Sequence, residues 1–299
     1  MENNIRAFFG TEIASQLREF DTTTEHGFDF DKISEIRLRV DKPILLRLGL
    51  SEYKGKYCPN TNDIRETVER ISQYSFYAFE SELSMGYITL PGGHRVGVSG
   101  QVVLENGAVR GWRHISGLNI RVAHSVLGCA DGILPHIFGE DGIKHTMVIS
   151  PPGFGKTTLL RDIVRQISDY AGLTVGLADE RSEVAGCFQG VAQNDVGIRT
   201  DVLDGCPKAL AMVMLLRSMS PDVIAVDELG GEQDARAVDA VLNAGVKLLC
   251  TAHGNNFEDA MANPALSPVL RRGIFERFIV LDAPGRVAGV FGKGGENVA

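Results

Sequence analysis

The segment Thr146-Met-Val-Ile-Ser-Pro-Pro-Gly-Phe-Gly-Lys-Thr-Thr-Leu-Leu-Arg161 is an apolar run followed by a glycine-rich turn and an amphipathic stretch. This order predicts a strand, a loop and a helix, which is how a phosphate-binding loop is built. Gly153 and Gly155 let backbone N–H groups turn towards a polyphosphate, and the helix N-terminus adds partial positive charge. Lys156 is then expected to reach the β and γ phosphates, and Thr157 to ligate Mg²⁺. The segment therefore predicts a site for ATP or GTP.

The residues predicted to hold the nucleotide are those of the loop and of the first helical turn. They are Ser150, Pro151, Pro152, Gly153, Phe154, Gly155, Lys156, Thr157 and Thr158. Ser150 stands where such loops usually begin with glycine. Because serine is also a small residue, we expect the turn to tolerate this change.

Composition places the chain among globular proteins. It has 299 residues, of which 44% are hydrophobic and 23% charged, enough for one large or two ordinary domains. No apolar run reaches the roughly 18 residues that span a bilayer, and the start Met-Glu-Asn-Asn-Ile does not resemble a secretory signal. We therefore expect a cytoplasmic protein. The formal net charge of −8 argues against nonspecific attraction to nucleic acid or anionic lipid.

The first half of the chain has the patterning of an α+β domain. Ile36, Leu38 and Val40 alternate with charged residues, which predicts a half-buried strand over 34–40. The other elements expected here are a strand over 44–48, a helix over 62–74 capped by Thr61 or Asn62, a short helix over 78–85, strands on both sides of the turn 91–94, and a hairpin at Asn106-Gly107.

From about residue 144 the pattern alternates between strand and helix, which predicts βαβ units and a parallel sheet. The expected strands are Thr146–Ser150, Thr174–Asp179, Val223–Asp227, Leu248–Ala252 and Arg277–Leu281. We expect an α+β domain over residues 1–125, a linker over 126–143, and an α/β domain over 144–299. The glycine-rich tail at 289–295 is expected to fray.

Acidic residues follow the predicted strands at the places where phosphate chemistry needs them. Pro221-Asp-Val-Ile-Ala-Val-Asp-Glu228 is an apolar run ending in two carboxylates, which a parallel sheet would put beside the phosphate loop. Asp227 is expected to hold Mg²⁺, and Glu228 to orient or deprotonate the attacking water. Leu177-Ala-Asp-Glu-Arg-Ser-Glu183 and Thr251-Ala-His-Gly254 bring further carboxylates and His253 to the same edge.

The order of these four motifs resembles the secretion-type ATPase superfamily of type II and type IV machines. Within it, the chain resembles the family of stage III sporulation protein AA. The residues that carry this second resemblance are 34–40, 93–98, 118–122, 194–204 and Cys206-Pro-Lys208. The resemblance covers about residues 30–285. It implies a hexameric ATPase with a RecA-like P-loop domain, preceded by a smaller α+β domain.

The same resemblance implies roles for individual residues. Asp179 would lie near the metal, His253 would contact the γ-phosphate region, and Glu180, Glu183 or Glu228 would be the catalytic carboxylate. Which of these three orients the water stays open. Members of the superfamily also supply arginines to the nucleotide from the N-terminal domain or from a neighbouring subunit, and the candidates here are Arg113, Arg121, Arg199 and Arg217.

The family resemblance also implies a biological setting. The ATPase would work in the mother cell of an endospore-forming bacterium, where it would power a membrane-spanning complex between mother cell and forespore. Without a membrane segment of its own, it would dock on a small membrane-anchored protein of the sporulation system.

Two alternative functions stay open at the level of sequence. One is a RecA-like ATPase that binds nucleic acid, against which the negative charge and the single tryptophan, Trp112, argue. The other is a scaffold that binds ATP in order to assemble and hardly hydrolyses it. The intact Glu228 argues against the scaffold.

Overall fold

The computed structural model describes residues 5–23, 30–49, 51–72, 86–124 and 126–298, and the helix expected over 78–85 lies outside them. The chain forms two compact units, Met1–His124 and Ser125–Ala299. Across the described ranges, the helices are all too short or too polar to cross a membrane.

The first unit is built on a six-stranded antiparallel sheet with the strand order β3-β2-β1-β6-β5-β4. Its strands are β1 Glu35–Arg39, β2 Lys42–Leu48, β3 Ser51–Lys54, β4 Tyr87–Thr89, β5 Arg95–Glu105 and β6 Ala108–Arg121. Its described helices are α1 Thr11–Thr23 and α2 Thr61–Ile71, besides 3₁₀ turns at Ile5–Phe8 and Phe30–Lys32. Ile36 and Leu38 are fully buried, which confirms the alternation predicted for the first strand.

The cap of α2 differs from the prediction. Asn60, rather than Thr61 or Asn62, accepts the backbone N–H bonds of Asn62 and Asp63, and the Asp63 side chain accepts the N–H of Asn60 in return. This reciprocal capping box satisfies N–H groups that the first helical turn leaves free. Several polar residues in a row are all suitable caps, so only the backbone conformation selects one.

The second unit contains a seven-stranded sheet with the order β11-β10-β12-β13-β9-β14-β15, and a small hairpin. Its strands are β7 Phe138–Gly139, β8 Gly142–Ile143, β9 Thr146–Ser150, β10 Val175–Asp179, β11 Thr200–Asp204, β12 Val223–Val226, β13 Lys247–His253, β14 Arg277–Ala283 and β15 Arg286–Phe291. Its helices are α3 Leu134–Ile137, α4 Lys156–Asp169, α5 Lys208–Ser218, α6 Glu232–Asn243, α7 Phe257–Ala262 and α8 Ser267–Leu270. All neighbours in the large sheet are parallel except β14 and β15.

All five strands predicted for this half are present, while β11 and β15 were not predicted. Residues 126–143, expected to form a linker, instead contribute Ala130, Ile133, Ile137 and Ile143 to the core beneath β9 and α4. The tail expected to fray is held in part by β15 pairing with β14, and the N–H of Val298 donates to Val290.

The register of the parallel strands brings four strand ends to one edge of the sheet. His253 is opposite Ser150, Val226 is opposite Cys250, and Ala178 is opposite Val226. The carboxyl ends of β9, β10, β12 and β13 therefore form a single edge, which is where parallel α/β sheets bind ligands.

Candidate nucleotide site

The phosphate loop joins β9 to α4 at this edge. Gly153 has φ +81° and Gly155, the N-cap of α4, has φ +93°, a left-handed conformation that glycine adopts without steric cost. A Cβ at Gly153 would meet no atom within 4 Å, so the space in front of the loop is open. Lys156 is the first residue of α4 and is buried. The loop thus has the open, amide-lined form that a polyphosphate requires.

Thr157 and Asp227 meet in front of the loop. The Thr157 hydroxyl donates to Asp227 Oδ2 at 2.8 Å, and the Thr251 hydroxyl donates to Asp227 Oδ1. Burial raises the pKa of Asp227, although the hydrogen bonds from Thr251 and Thr157 and the charge of Lys156 act in the opposite direction. The contact joins the two residues that the sequence predicts as metal ligands.

Glu228 lies at the centre of a cluster of cations. Its Oε1 is 3.0 Å from Lys156 Nζ and 2.8 Å from His253 Nε2, and its Oε2 is 3.1 Å from Arg181 Nη1. Burial raises the pKa of Glu228, but the hydrogen bond from Lys156 and the charges of Lys156, His253 and Arg181 outweigh it, so the net pKa lies below the usual value. Glu228 is therefore a carboxylate held between the groups expected to meet the terminal phosphate.

The main chain at Glu228 is in the left-handed region, with φ +54°. A residue with a side chain rarely adopts this conformation, and such strain is found preferentially at functional sites. The N–H of Glu228 donates to the Thr251 hydroxyl at 2.8 Å, and the N–H of Leu229 donates to the Thr251 carbonyl at 2.9 Å. Strand β13 thus holds the turn that points Glu228 at the phosphate loop.

Asp179 has a different environment from the one the sequence predicts. Its Oδ1 accepts the N–H of Glu183, and its Oδ2 accepts the N–H groups of Val184 and Ala185, at 2.8 to 3.1 Å. Both oxygens close the loop after β10, which gives the carboxylate a structural role at this edge of the sheet. Burial raises the pKa of Asp179 against these hydrogen bonds.

Glu180 and Glu183 line a small pocket together with Asp227 and Glu228. Glu180 Oε2 pairs with Lys208 Nζ at 3.2 Å, and the main-chain carbonyl of Glu183 accepts from Arg161 Nη2 at 2.8 Å. Glu228 Oε1 lies 3.0 Å from Lys156 Nζ, which places this carboxylate directly beside the phosphate loop.

Three basic residues of this edge were not predicted from the sequence. They are Arg161 on α4, Arg181 in the acidic motif after β10, and Lys208 at the start of α5. The signals were present, because Arg181 lies inside the quoted motif Asp-Glu-Arg-Ser-Glu and Lys208 ends the quoted motif Cys-Pro-Lys. Neither motif indicates by itself which oxygen its cation contacts.

The candidate arginines Arg199 and Arg217 lie at the opposite edge of the sheet. Arg199 precedes β11, and its Nη1 donates to the Ser168 carbonyl at 3.0 Å. Arg217 is exposed in the last turn of α5, which begins at the site and ends before β12. A five-residue strand is about 17 Å long, so neither side chain serves a nucleotide on the loop of its own chain. Arg113 and Arg121 belong to β6 of the first unit.

An apolar cavity of about 200 Å³ adjoins the phosphate loop. Its lining comes from the loop, from the turn between β14 and β15, and from the segment before α3: Val126, Cys129, Gly153, Phe154, Gly155, Thr158, Leu159, Leu281, Pro284, Gly285 and Val287. The turn is tied to the loop, because the N–H of Gly285 donates to the Phe154 carbonyl at 3.0 Å. The cavity offers an apolar site for a flat ring whose attached phosphates lie on the loop.

The donor set fits Mg²⁺ bound together with a nucleotide. Within the described ranges, no three His, Cys, Asp or Glu residues cluster so as to hold a metal by themselves. Mg²⁺ usually takes one or two protein oxygens and completes its shell with phosphates and water. Thr157 and Asp227, side by side at the open loop, supply that small number of ligands.

Comparisons with known proteins agree with this architecture. The family model described as sporulation stage III, protein AA matches residues 9–298. Stage III sporulation protein AA of Bacillus subtilis (strain 168) is 42% identical over an alignment of 272 residues that covers 88% of each chain.

Solved structures show the same fold at low identity. The ATPase DotB of Legionella pneumophila is 16% identical with a TM-score of 0.59, over 90% of this chain and 75% of DotB. The pilus retraction motor PilT, solved with bound ADP, is 16% identical with a TM-score of 0.53, over 88% of this chain and 77% of PilT. The chain has the mixed α/β fold of these proteins, and it belongs to the sporulation stage III, protein AA family.

Proposed function

We propose that the chain is an Mg²⁺-dependent ATPase that powers a membrane-spanning, secretion-like complex between mother cell and forespore during endospore formation. Its second unit would be a RecA-like P-loop domain, and the first an α+β domain. The observation that carries this proposal is the convergence of Lys156, the Thr157–Asp227 pair, Glu228 and His253 at one sheet edge. These residues come from distant parts of the chain, and they include the phosphate-binding lysine, the Mg²⁺ ligands and the water-orienting carboxylate that phosphoanhydride hydrolysis uses.

The residues would divide the reaction between them. Loop N–H groups and Lys156 bind the phosphates, and the apolar cavity beside Phe154 receives the base. Mg²⁺, held by Thr157 and by Asp227 directly or through water, would offset charge on the β and γ phosphates. When the phosphates bind Lys156, they displace the Glu228 carboxylate from it. Glu228 is then available to orient and deprotonate a water molecule. The water oxygen bonds to the γ-phosphorus as the bond to the β-phosphate oxygen breaks, giving ADP and phosphate.

The proposed assembly is a homo-oligomer, a hexamer by its resemblance to secretion-type ATPases, docked on a membrane-anchored sporulation protein from the mother-cell cytoplasm. If Arg199 or Arg217 serves a nucleotide, the position of both at the amino edge requires that the nucleotide belong to another copy. Affinity capture from sporulating cells that repeatedly recovers no membrane protein would count against the docking.

The test of function is ATP hydrolysis by the purified wild type, Lys156→Ala and Glu228→Gln, with the oligomer mass recorded with and without nucleotide. Hydrolysis by the wild type alone, with a nucleotide-trapped oligomer in Glu228→Gln, is expected. Equal hydrolysis in Lys156→Ala would refute the site. Strong stimulation by single-stranded DNA or RNA would point instead to a nucleic-acid-dependent ATPase.

One observation favours a second candidate, a nucleotide-dependent scaffold with little turnover. Lys156 and Glu228 form an ion pair, so the phosphate-binding cation and the expected general base are engaged with each other. If nucleotide binding left this pair intact, the protein could assemble without hydrolysis. Nucleotide-driven assembly with no phosphate release, even with the membrane partner added, would support the scaffold.

A further inference from the structure

Lys208 is a half-buried cation that has no role in the reaction proposed above. It ends the motif Cys206-Pro-Lys208 and begins α5. Its Nζ lies 2.7 Å from the carbonyl oxygen of Glu228, 3.3 Å from that of Asp227, and 3.2 Å from Glu180 Oε2. An ammonium group has three N–H donors. All three N–H groups of Lys208 have acceptors, two in the turn after β12 and one on Glu180. They are therefore used within the protein rather than on a ligand.

The contacts of Lys208 complete the support of a strained turn. Glu228 is left-handed at φ +54°, and such a conformation persists only where the surroundings determine it. Thr251 receives the N–H of Glu228 from one side, and Lys208 donates to its carbonyl from the other. Both peptide groups that flank the Glu228 Cα are therefore held by two elements, by β13 through Thr251 and by α5 through Lys208.

We propose that Lys208 is a positioning residue for Glu228, and that Glu180 holds Lys208 in place. This inference rests on the proposed ATPase function. Lys208 fixes the main chain from which the Glu228 carboxylate reaches Lys156 and His253, and Glu180 balances its charge. Glu180, in the acidic motif after β10, thereby acts on catalysis through Lys208.

The direct test is Lys208→Met, which keeps the aliphatic stem and removes the three donors. Misplacing a catalytic group by about 1 Å costs roughly 10²-fold in rate, so kcat should fall by about that factor. The Kd for ADP should not rise, because the phosphate loop is untouched and a displaced Glu228 competes less for Lys156. Lys208→Arg retains charge and donors and should recover part of the loss. Lys247→Met, which removes an ammonium group paired with Glu276 at the opposite edge, is the matched control.

A double-mutant cycle separates positioning from general destabilisation. In a Glu228→Gln background, Lys208→Met should cause no further loss, because residues that act through one group are not additive. An independent additional loss, or wild-type kcat in Lys208→Met, would overturn the inference. Should Lys208→Met fail to fold, Glu180→Gln provides the second variant. Glu180→Gln should also lower kcat, and it should cause no further loss of kcat in the Glu228→Gln background.

A second measurement does not depend on hydrolysis. Amide hydrogen exchange at Glu228 and Leu229 in the nucleotide-free chain should be faster in Lys208→Met than in the wild type and in Lys247→Met. Unchanged exchange would overturn the positioning role even if the wild type had no ATPase activity. Failure of the proposed function is recognised separately, as ADP binding without hydrolysis in the wild type and in Lys247→Met.

Discussion

Glu228→Gln is expected to bind ADP more tightly than the wild type while losing hydrolysis. The Glu228 carboxylate pairs with Lys156 Nζ at 3.0 Å, and the two side chains are only 20% and 7% exposed, respectively. The phosphates must displace it before Lys156 can bind them. Removing the competing charge should therefore favour the nucleotide-bound state.

The magnitude follows from the geometry. Two unit charges 3.0 Å apart attract by about 5 kcal/mol at an effective dielectric constant of about 20. Desolvation and lost side-chain freedom offset much of this, and a hydrogen bond between charged groups contributes about 1.5–3 kcal/mol net. At about 1.4 kcal/mol per factor of ten, the Kd for ADP should fall by roughly 10- to 100-fold.

The assay is equilibrium titration with a fluorescent ADP, because ADP is not hydrolysed and its affinity can be read in both proteins. Phosphate release measured in parallel should fall by about 10²-fold or more, as expected for loss of a general base. Glu276→Gln is the matched control: it also removes one negative charge, but from a carboxylate that pairs with Lys247 at the opposite edge of the sheet. Its Kd for ADP should change little.

Two results would refute the reasoning. An unchanged or weaker ADP affinity in Glu228→Gln would mean that the ion pair does not compete with phosphate. An equal gain in Glu276→Gln would mean that the effect is one of general charge rather than of the contact with Lys156.

Three further predictions follow from the same contacts. Thr157→Val should abolish the Mg²⁺ dependence of ATP binding, as measured by titration with and without EDTA, because it removes the hydroxyl beside Asp227; retained dependence would exclude Thr157 as a ligand. Arg217→Ala and Arg199→Ala should lower turnover only under conditions where the protein assembles, and equal rates in mutant and wild-type oligomers would remove both arginines from the site. Burial, with a smaller effect of His124, lowers the pKa of His94 from 6.5 to about 4. As the pH falls, His94 therefore becomes protonated in the unfolded chain before it does so in the folded protein. The free energy of unfolding should therefore drop by about 3 kcal/mol between pH 6.5 and 4, at about 1.4 kcal/mol per pKa unit, and His94→Gln, compared by urea denaturation, should lack that decrease.

Local sequence signals were sufficient for the buried strands. β9, β10, β12 and β13 are short apolar runs, fully buried except at their ends, and a continuous apolar run is the signature of a strand covered on both faces. β11 escaped prediction because it forms the edge of the sheet. Its residues Thr200–Asp204 are only partly buried, so their pattern is weak.

The sequence by itself determined which chemical groups collect at the site. Gly153, Gly155 and Lys156 specify a phosphate loop through local backbone geometry, and parallel strands bring their carboxyl ends to one edge whatever their order. The residues Asp227, Glu228 and His253 therefore had to lie near the loop once a parallel sheet was inferred.

Only the tertiary structure decided which partner each group has. The strand order β11-β10-β12-β13-β9 is not the order of the chain, and a hydrogen bond requires placement to within about 3 Å, far finer than a strand end specifies. Asp179 thus turns to its own loop, Glu180 pairs with Lys208, and Glu228 takes Lys156. The physical reason is that patterning reports burial and direction along an element, whereas partner choice depends on the packing of distant elements against each other.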